Sequence, residues 1–364
     1  MLRFFSYFSF LSFSFICLSR PSFPTRFIPD SITGITTDTH NVTDAHNVTW
    51  HDFGRFLDVG RGSEVSGMSE LKKYLCRFGY LPSTNNFTDV FDKELESAVR
   101  AYQSSLGLSV TGKLDSDTIS TIMSPRCGLR DTAHNTTDKL HVTRHFAYFY
   151  GKPRWVKESP MTLTYAFSAN NMIDYISLEE IKRVFKHAFA RWASVIPVSF
   201  MEVEYYQSAN IRIGWYHRDH GDGEPFDGVL GVLAHAFSPE NGRLHLDAAE
   251  TWSVDFETVK SREAVDLESV ATHEIGHILG LAHSSIKEAV MYPSLSPRSV
   301  KVDLKLDDVE GVQALYGTNP NFTLSSLLES ENSSNGGGIG LQSRTSKWTI
   351  SLVVVALFLF LRTW

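Results

Sequence analysis

The feature that most constrains this chain is a short run, His273-Glu274-Ile275-Gly276-His277-Ile278-Leu279-Gly280-Leu281-Ala282-His283. His273 and His277 stand at i and i+4, so on a helix both imidazoles leave one face about one turn apart. That geometry supplies two of the three protein ligands of a catalytic zinc and leaves a fourth position for water. Gly280 can end the helix at positive φ, letting the chain turn and bring up His283 as the third ligand. Glu274 sits beside the first ligand, placed as general base for that water, whose pKa zinc lowers to about 7. The metal would also polarise a scissile carbonyl and stabilise the developing oxyanion. Two helix histidines alone are as readily solvated or core residues. The glycine and the third histidine at fixed offsets argue against that here.

The remainder must supply a scaffold. The chain has 364 residues, 42% of them apolar, enough for one large core or two medium ones. A net charge of −7 gives no electrostatic case for a nucleic-acid partner. Three cysteines are too few for a disulfide-stapled scaffold. From Ser69, a candidate N-cap, Leu71, Tyr74, Leu75 and Phe78 recur at helical spacing until Gly79. A second helix is expected over about 92–106, with Leu95, Ala98, Val99 and Tyr102 on one face, and a third behind Asp115. These form a small helical domain at about 64–123. A polar stretch over 131–145 reads as a protease-sensitive linker. Beyond it, 161–167 and 209–216 alternate as half-buried strands do. Ser177 and Glu180 form a capping box before the stripe Ile181, Val184, Phe185, Ala188, Phe189 and Trp192. With helices at about 267–281 and 307–316, the larger domain (146–317) reads as α+β.

Both ends read as address labels. Arg3 followed by an apolar run from Phe4 to Leu18 resembles a secretory signal over 1–22, with a transmembrane helix as the alternative. Residues 318–347 form a Ser/Asn/Gly linker, and 348–364 an apolar tail short for a bilayer span. That layout fits a GPI-attachment signal, removed on anchoring at Ser334 or Asn335; a tail-anchored span is the competing reading. The sequons at Asn41, Asn47, Asn86, Asn135, Asn321 and Asn332 fit the secretory route weakly, as glycosylation acceptors. The expectation is an extracellular protein at the outer face of the plasma membrane.

With these residues the chain resembles the metzincins, zinc endopeptidases with this motif and a later Met-turn. Met291 sits where that turn would be, and Tyr292 and Pro293 resemble a wall of the S1′ pocket. Ser284 after the third histidine points to the matrix metalloproteinase, or matrixin, branch. A thiolate is a soft, strong zinc ligand, so Cys127 could fill the open position. Its surroundings, Pro125-Arg126-Cys127-Gly128-Leu129-Arg130-Asp131, resemble the matrixin cysteine switch, in which Arg126 and Asp131 pair to hold the loop. Leu129-Arg130 replaces the usual Val-Pro. A disulfide between Cys76 and Cys127 would abolish the switch, but Cys76 falls on the apolar, buried side of the first helix, which argues against it.

His220, Asp222, His235 and His245 suit a closed structural zinc site, and by resemblance are its ligands; His217 rivals His220. The resemblance further implies calcium held by Asp227, Asp247 and Glu250 with carbonyls of Gly228, Leu230 and Val232. Asp307 and Asp308 resemble residues that receive the new N-terminal ammonium after activation, or else simply cap the last helix. The implied fold is a metzincin domain, a twisted mixed sheet with three helices, preceded by a three-helix peptidoglycan-binding-like prodomain. The layout is most like plant matrix metalloproteinases, with an anchor signal and no hemopexin-like repeat. It implies a monomeric secreted metalloendopeptidase with propeptide 23–145, its switch at 125–131, latent until an activating protease acts. Its substrates would be proteins or peptides pairing with the edge containing Val232–Phe237. The rival from another class is a cell-wall glycan-binding protein using the helical module.

Overall fold

A computed structural model of the chain describes residues 50–83, 86–131 and 146–325. The expected signal peptide, the tail and anchor residues Ser334 and Asn335, and the sequons at Asn41, Asn47, Asn135 and Asn332 lie outside these.

The N-terminal helical unit opens with a 3-10 turn at Trp50–Phe56 and continues with α1 (Met68–Arg77), α2 (Lys93–Ser105) and α3 (Ser116–Ile122). Two helices start where their caps dictate. Asp92 accepts from the Leu95 N–H at 2.8 Å and Asp115 from the Thr118 N–H at 3.0 Å, satisfying otherwise orphaned donors. The first does not: α1 begins behind Gly67, at φ +82, and Ser69 lies inside it. The Ser69 N–H is taken at 2.9 Å by Asp89, a carboxylate distant in sequence, so no local serine cap is needed. Cys76, expected on the buried side of α1, is only half-buried, and both it and Cys127 are free thiols. The core of this unit is Phe53, Phe56, Leu71, Leu75, Phe78, Leu95, Val99, Tyr102 and Ile122. It does not close on itself. Phe226, Val232 and Tyr292 of the larger unit complete the same apolar cluster.

The larger unit is built on one six-stranded sheet. Its strands are β1 (Arg126–Cys127), β2 (Met161–Phe167), β3 (Val198–Glu202), β4 (Ile211–Tyr216), β5 (Val232–Ala236) and β6 (Arg243–Asp247), in the spatial order β1-β5-β6-β4-β2-β3. Only β5 and β6 pair antiparallel. A short parallel pair, β7 (Trp252–Ser253) and β8 (Val265–Asp266), leads into the metal-motif helix. Helix α4 (Leu178–Val195) starts at the expected capping box, Ser177 and Glu180 each accepting the other's backbone N–H at 3.3 Å. Its predicted apolar stripe is buried together with Val195. Helices α4 and α5 (Leu267–Ile278) pack with the sheet in one core. Helix α6 (Leu306–Tyr316) closes the unit. Among the described residues no helix is long and apolar enough to cross a membrane.

In the full chain the edge containing Val232–Phe237, expected to take a substrate strand, is occupied by the cysteine segment. β1 pairs parallel with β5, Arg126 opposite Val232 and Cys127 opposite Ala234, with an irregularity between them.

Candidate metal centre

Helix α5 is fixed at both ends by buried groups. Asp266 accepts from the Ser269 N–H at 2.8 Å. At the other end, Trp155 Nε1 donates to Ile278 O at 2.8 Å and the Tyr316 hydroxyl to Leu279 O at 2.9 Å. Gly280, at φ +103, turns the chain as expected; a Cβ there would lie 2.3 Å from Pro153 O. The turn brings His283 to the face that carries His273 and His277.

The three rings are held differently. His273 Nδ1 lies 2.7 Å from Val290 O, and His277 Nδ1 lies 2.8 Å from Leu281 O. A carbonyl only accepts, so both Nδ1 atoms carry the hydrogen and both Nε2 atoms present lone pairs. Those two Nε2 atoms face each other at 2.9 Å. Burial, then neighbouring histidines, pushes both imidazoles well below their usual pKa, so a proton does not relieve the opposition. A metal cation does. His283 Nε2 is likewise buried without a protein partner, and Cys127 Sγ lies 3.5 Å from His277 Nε2. The four ligand atoms lie within 4.8 Å of one another. Three imidazole nitrogens and one thiolate form a donor set suited to tetrahedral zinc. Burial and then Glu274 push the Cys127 thiol well up, so ligation as thiolate requires the charge of such an ion.

Glu274 is fully buried, with neither oxygen bonded to protein, and burial pushes its carboxyl up to about 8. Met291 packs directly beneath Gly276, and Asp308 holds the turn that carries it by accepting from the Val290 and Met291 N–H groups at 2.9 and 3.0 Å. Asp308 also accepts from the Lys305 N–H at 2.8 Å, so it caps α6 and anchors the Met-turn together.

The cysteine is held from both sides. The Arg126 N–H donates to Gly231 O at 3.0 Å and the Gly128 N–H to Ala234 O at 2.8 Å, while the Cys127 N–H crosses to Pro293 O at 2.9 Å. Arg126 is fully buried, paired with Asp131 and stacked 3.7 Å over the Phe78 ring. Burial opposes ionisation of Asp131, but Arg126 and then His283 hold its carboxyl well below the usual range. Arg130 is exposed. A cavity beside the cysteine is lined by Leu233, Val270, Val290, Tyr292, Pro293 and Leu295 among others.

His220, Asp222, His235 and His245 form the second cluster. Asp222 Oδ2 lies 2.8 Å from His220 Nε2, His235 Nε2 and His245 Nδ1 alike. Burial lowers His235 to about 4 and His245 to about 3, which makes them neutral, lone-pair donors at pH 7. His217 is exposed and takes no part. Asp227, Asp247 and Glu250 also converge, each accepting a backbone N–H: from Val232 at 2.7 Å, Gly228 at 3.2 Å and Leu230 at 2.7 Å respectively. Glu250 Oε2 is buried and unpartnered, and burial followed by Asp247 raises its carboxyl to about 8. Asn86 and Asn321, the described sequons, are exposed.

Sequence reasoning missed the acceptors Val290 O and Leu281 O and the hydrogen bond from His283 Nδ1 to Asp131 at 2.7 Å. It also missed Arg77, which donates to Pro225 O at 2.7 Å and lies 3.8 Å from Asp227. Apart from Leu281 O, four residues after His277, these carry no sequence signal, since each depends on chain segments brought together by folding.

Residues 154–317 match the model of the family described as Matrixin, and residues 64–122 match that of a peptidoglycan binding domain. Metalloendoproteinase 1-MMP of Arabidopsis thaliana is 57% identical over 317 residues, 86% of each chain. Metalloendoproteinase 4-MMP of the same plant is 57% identical over 292 residues, covering 80% of this chain and 84% of its own. Human neutrophil collagenase is 36% identical over 269 residues, 71% of this chain and 52% of its own.

Proposed function

This chain belongs to the matrixin family of zinc-dependent metalloendopeptidases, and we propose that it is made as a secreted zymogen whose own cysteine blocks its catalytic site. His273, His277 and His283 would hold the catalytic zinc, with Cys127 as the fourth ligand in the latent chain. The observation that carries this is the convergence of three buried imidazole nitrogens and one thiol, two of the nitrogens with opposed lone pairs.

A zinc ion bound there supplies Lewis acidity, polarising the scissile carbonyl and lowering the pKa of water to about 7. The protein does the rest. Val290 O and Leu281 O fix the first two rings. Glu274, buried beside them and raised by that burial, would be ionised by the charge of a bound cation; as carboxylate it would take the proton of the attacking water and deliver it to the leaving amine. β5 offers its backbone to a substrate strand once β1 has left. The apolar cavity between Leu233 and Tyr292 suits an apolar P1′ side chain.

We assign His220, Asp222, His235 and His245 to a structural zinc and Asp227, Asp247 and Glu250 to calcium; all-oxygen donors fit a hard cation. Cleavage between the two units by another protease would release the propeptide. The mature enzyme would stay at the outer plasma membrane through a lipid anchor and act as a monomer on extracellular or cell-surface proteins. The glycan-binding alternative gives no reason for a buried thiol aimed at three histidines.

The test uses the full chain, wild type and Glu274→Ala, on a quenched peptide before and after a mercurial that attacks Cys127. Activity only in treated wild type, removed by a zinc chelator, is expected. Equal activity in both proteins would sink Glu274 as the base, and full activity before treatment would sink the switch.

A further inference from the structure

We propose that Asp131 is a carboxylate partner of the catalytic metal site, lent to His283 by the propeptide, so that the latent chain grips its metal through His283 more tightly than the mature enzyme can. This rests on the reading that His273, His277 and His283 hold zinc.

The three ligand rings differ in what orients them. His273 and His277 donate to carbonyls of their own catalytic unit, Val290 O and Leu281 O. His283 donates from Nδ1 to Asp131 Oδ1 at 2.7 Å, and among the described residues it has no second acceptor there. Asp131 belongs to the segment that leaves on activation. It is not free to wander while present. Its Oδ1 also accepts from Arg126, its Oδ2 accepts from the Tyr80 hydroxyl at 2.7 Å, and its N–H donates to Phe78 O at 3.2 Å. The side chains of Asp131 and His283 are 1% and 3% exposed, so the pair is shielded from water. His283 Nε2 faces the metal position with no other protein partner. A carboxylate on the far nitrogen fixes the tautomer and makes the ligating nitrogen more basic than a carbonyl does, and losing such a partner typically weakens metal binding about 10- to 100-fold. Asp131 is therefore a positioning residue as well as the partner of Arg126, and activation removes two supports of the metal together: the sulfur and the carboxylate.

The experiment separates the two. Full chain carrying Glu274→Ala, to prevent self-cleavage, and Cys127→Ala, to remove the sulfur, is titrated for zinc against a chromophoric chelator. Adding Asp131→Asn should weaken zinc binding at that site about tenfold or more. Adding Arg126→Met instead, which breaks the ion pair but leaves the carboxylate on His283, should weaken it by less than about threefold. With cobalt at the catalytic site and zinc kept in the second cluster, three exchangeable, paramagnetically shifted imidazole N–H resonances are expected, and Asp131→Asn should abolish one while the other two report an intact fold. Equal zinc affinity with and without Asp131, equal loss in the Arg126 and Asp131 variants, or persistence of all three resonances would each overturn the proposal. Failure of the Cys127→Ala chain to hold zinc at the histidines would instead remove the zinc reading beneath it.

Discussion

Gly276 stands between the two helical ligands, and its lack of a side chain is what lets the Met-turn approach. A Cβ at that position would lie 2.2 Å from Met291 Sδ, 3.1 Å from Met291 Cε and 3.0 Å from Trp192 Cζ2. Met291 is 1% exposed and Trp192 fully buried, so neither has open space to retreat into. Gly276→Ala gains about 1 kcal/mol of helix propensity. It loses about 1–3 kcal/mol to overpacking in a closed core. The net destabilisation is then about 1 kcal/mol, too small to interpret alone, and a double-mutant cycle resolves it. With Met291→Ala in place the clash is mostly gone, and Gly276→Ala should stabilise by up to about 1 kcal/mol. The cycle should therefore return a coupling of roughly 2 kcal/mol. The assay is urea unfolding of the Glu274→Ala chain at fixed zinc, since a ligand that binds only the folded state shifts the midpoint. Agreement of the two Gly276→Ala effects within about 0.5 kcal/mol would refute the close-approach argument.

Cys127→Ser should give partial activity without cleavage. The prodomain stays docked through Tyr292, Phe226 and Val232, so turnover by the uncut chain is expected well below that of the processed enzyme, and equality would refute the docking. Burial raises Asp308 from 3.8 to about 6, against its three backbone N–H bonds, so the folded state favours its protonated form. Its contribution to stability is full below pH 3.8 and is lost as pH rises through 6; relative to Asp308→Asn, wild type should lose up to roughly 3 kcal/mol between pH 4 and 7. A pH-independent difference between the two would count against it. His235→Ala should lower bound zinc from two ions to one per chain and reduce the thermal midpoint, with metal analysis after gel filtration as the check; a stoichiometry still at two would exclude His235 as a ligand.

The parts of the site legible in the sequence are those whose parts are near neighbours in the chain. His273, His277, Gly280 and His283 lie within three turns' worth of residues, so helix geometry and one glycine determine where they meet. The caps at Asp115 and Ser177 were readable for the same reason. Ser69 failed as a cap because Asp89 arrives from elsewhere. The strand order was also out of reach, since β1 joins a sheet whose next member, β5, begins at Val232. Cys127 as a candidate ligand was plausible only beside the histidine motif, and the pairing of Asp131 with Arg126 only by resemblance. The second link of Asp131, to His283, spans 152 positions and leaves no local pattern.

The proposed latency would not reduce to a thiol on a metal. The segment carrying Cys127 takes the backbone positions that an edge strand leaves open, Gly231 O and Ala234 O on one side and Pro293 O on the other. Edge strands invite such pairing, and here the chain covers its own edge. The charge beside the cysteine adds cooperativity. Arg126 is 0% exposed, so its charge is tolerable only because Asp131, the Tyr74 hydroxyl and the Phe78 ring meet it together. Removing one partner of a buried pair typically costs about 3–5 kcal/mol, because the other charge is left without compensation. Asp131 meets both Arg126 and His283, and Phe78, which stacks under Arg126, belongs to the helical core. On the proposed reading, a cut between the two units would release residues 126–131 together with that core, so the sulfur, the carboxylate and the covering strand would leave as one unit.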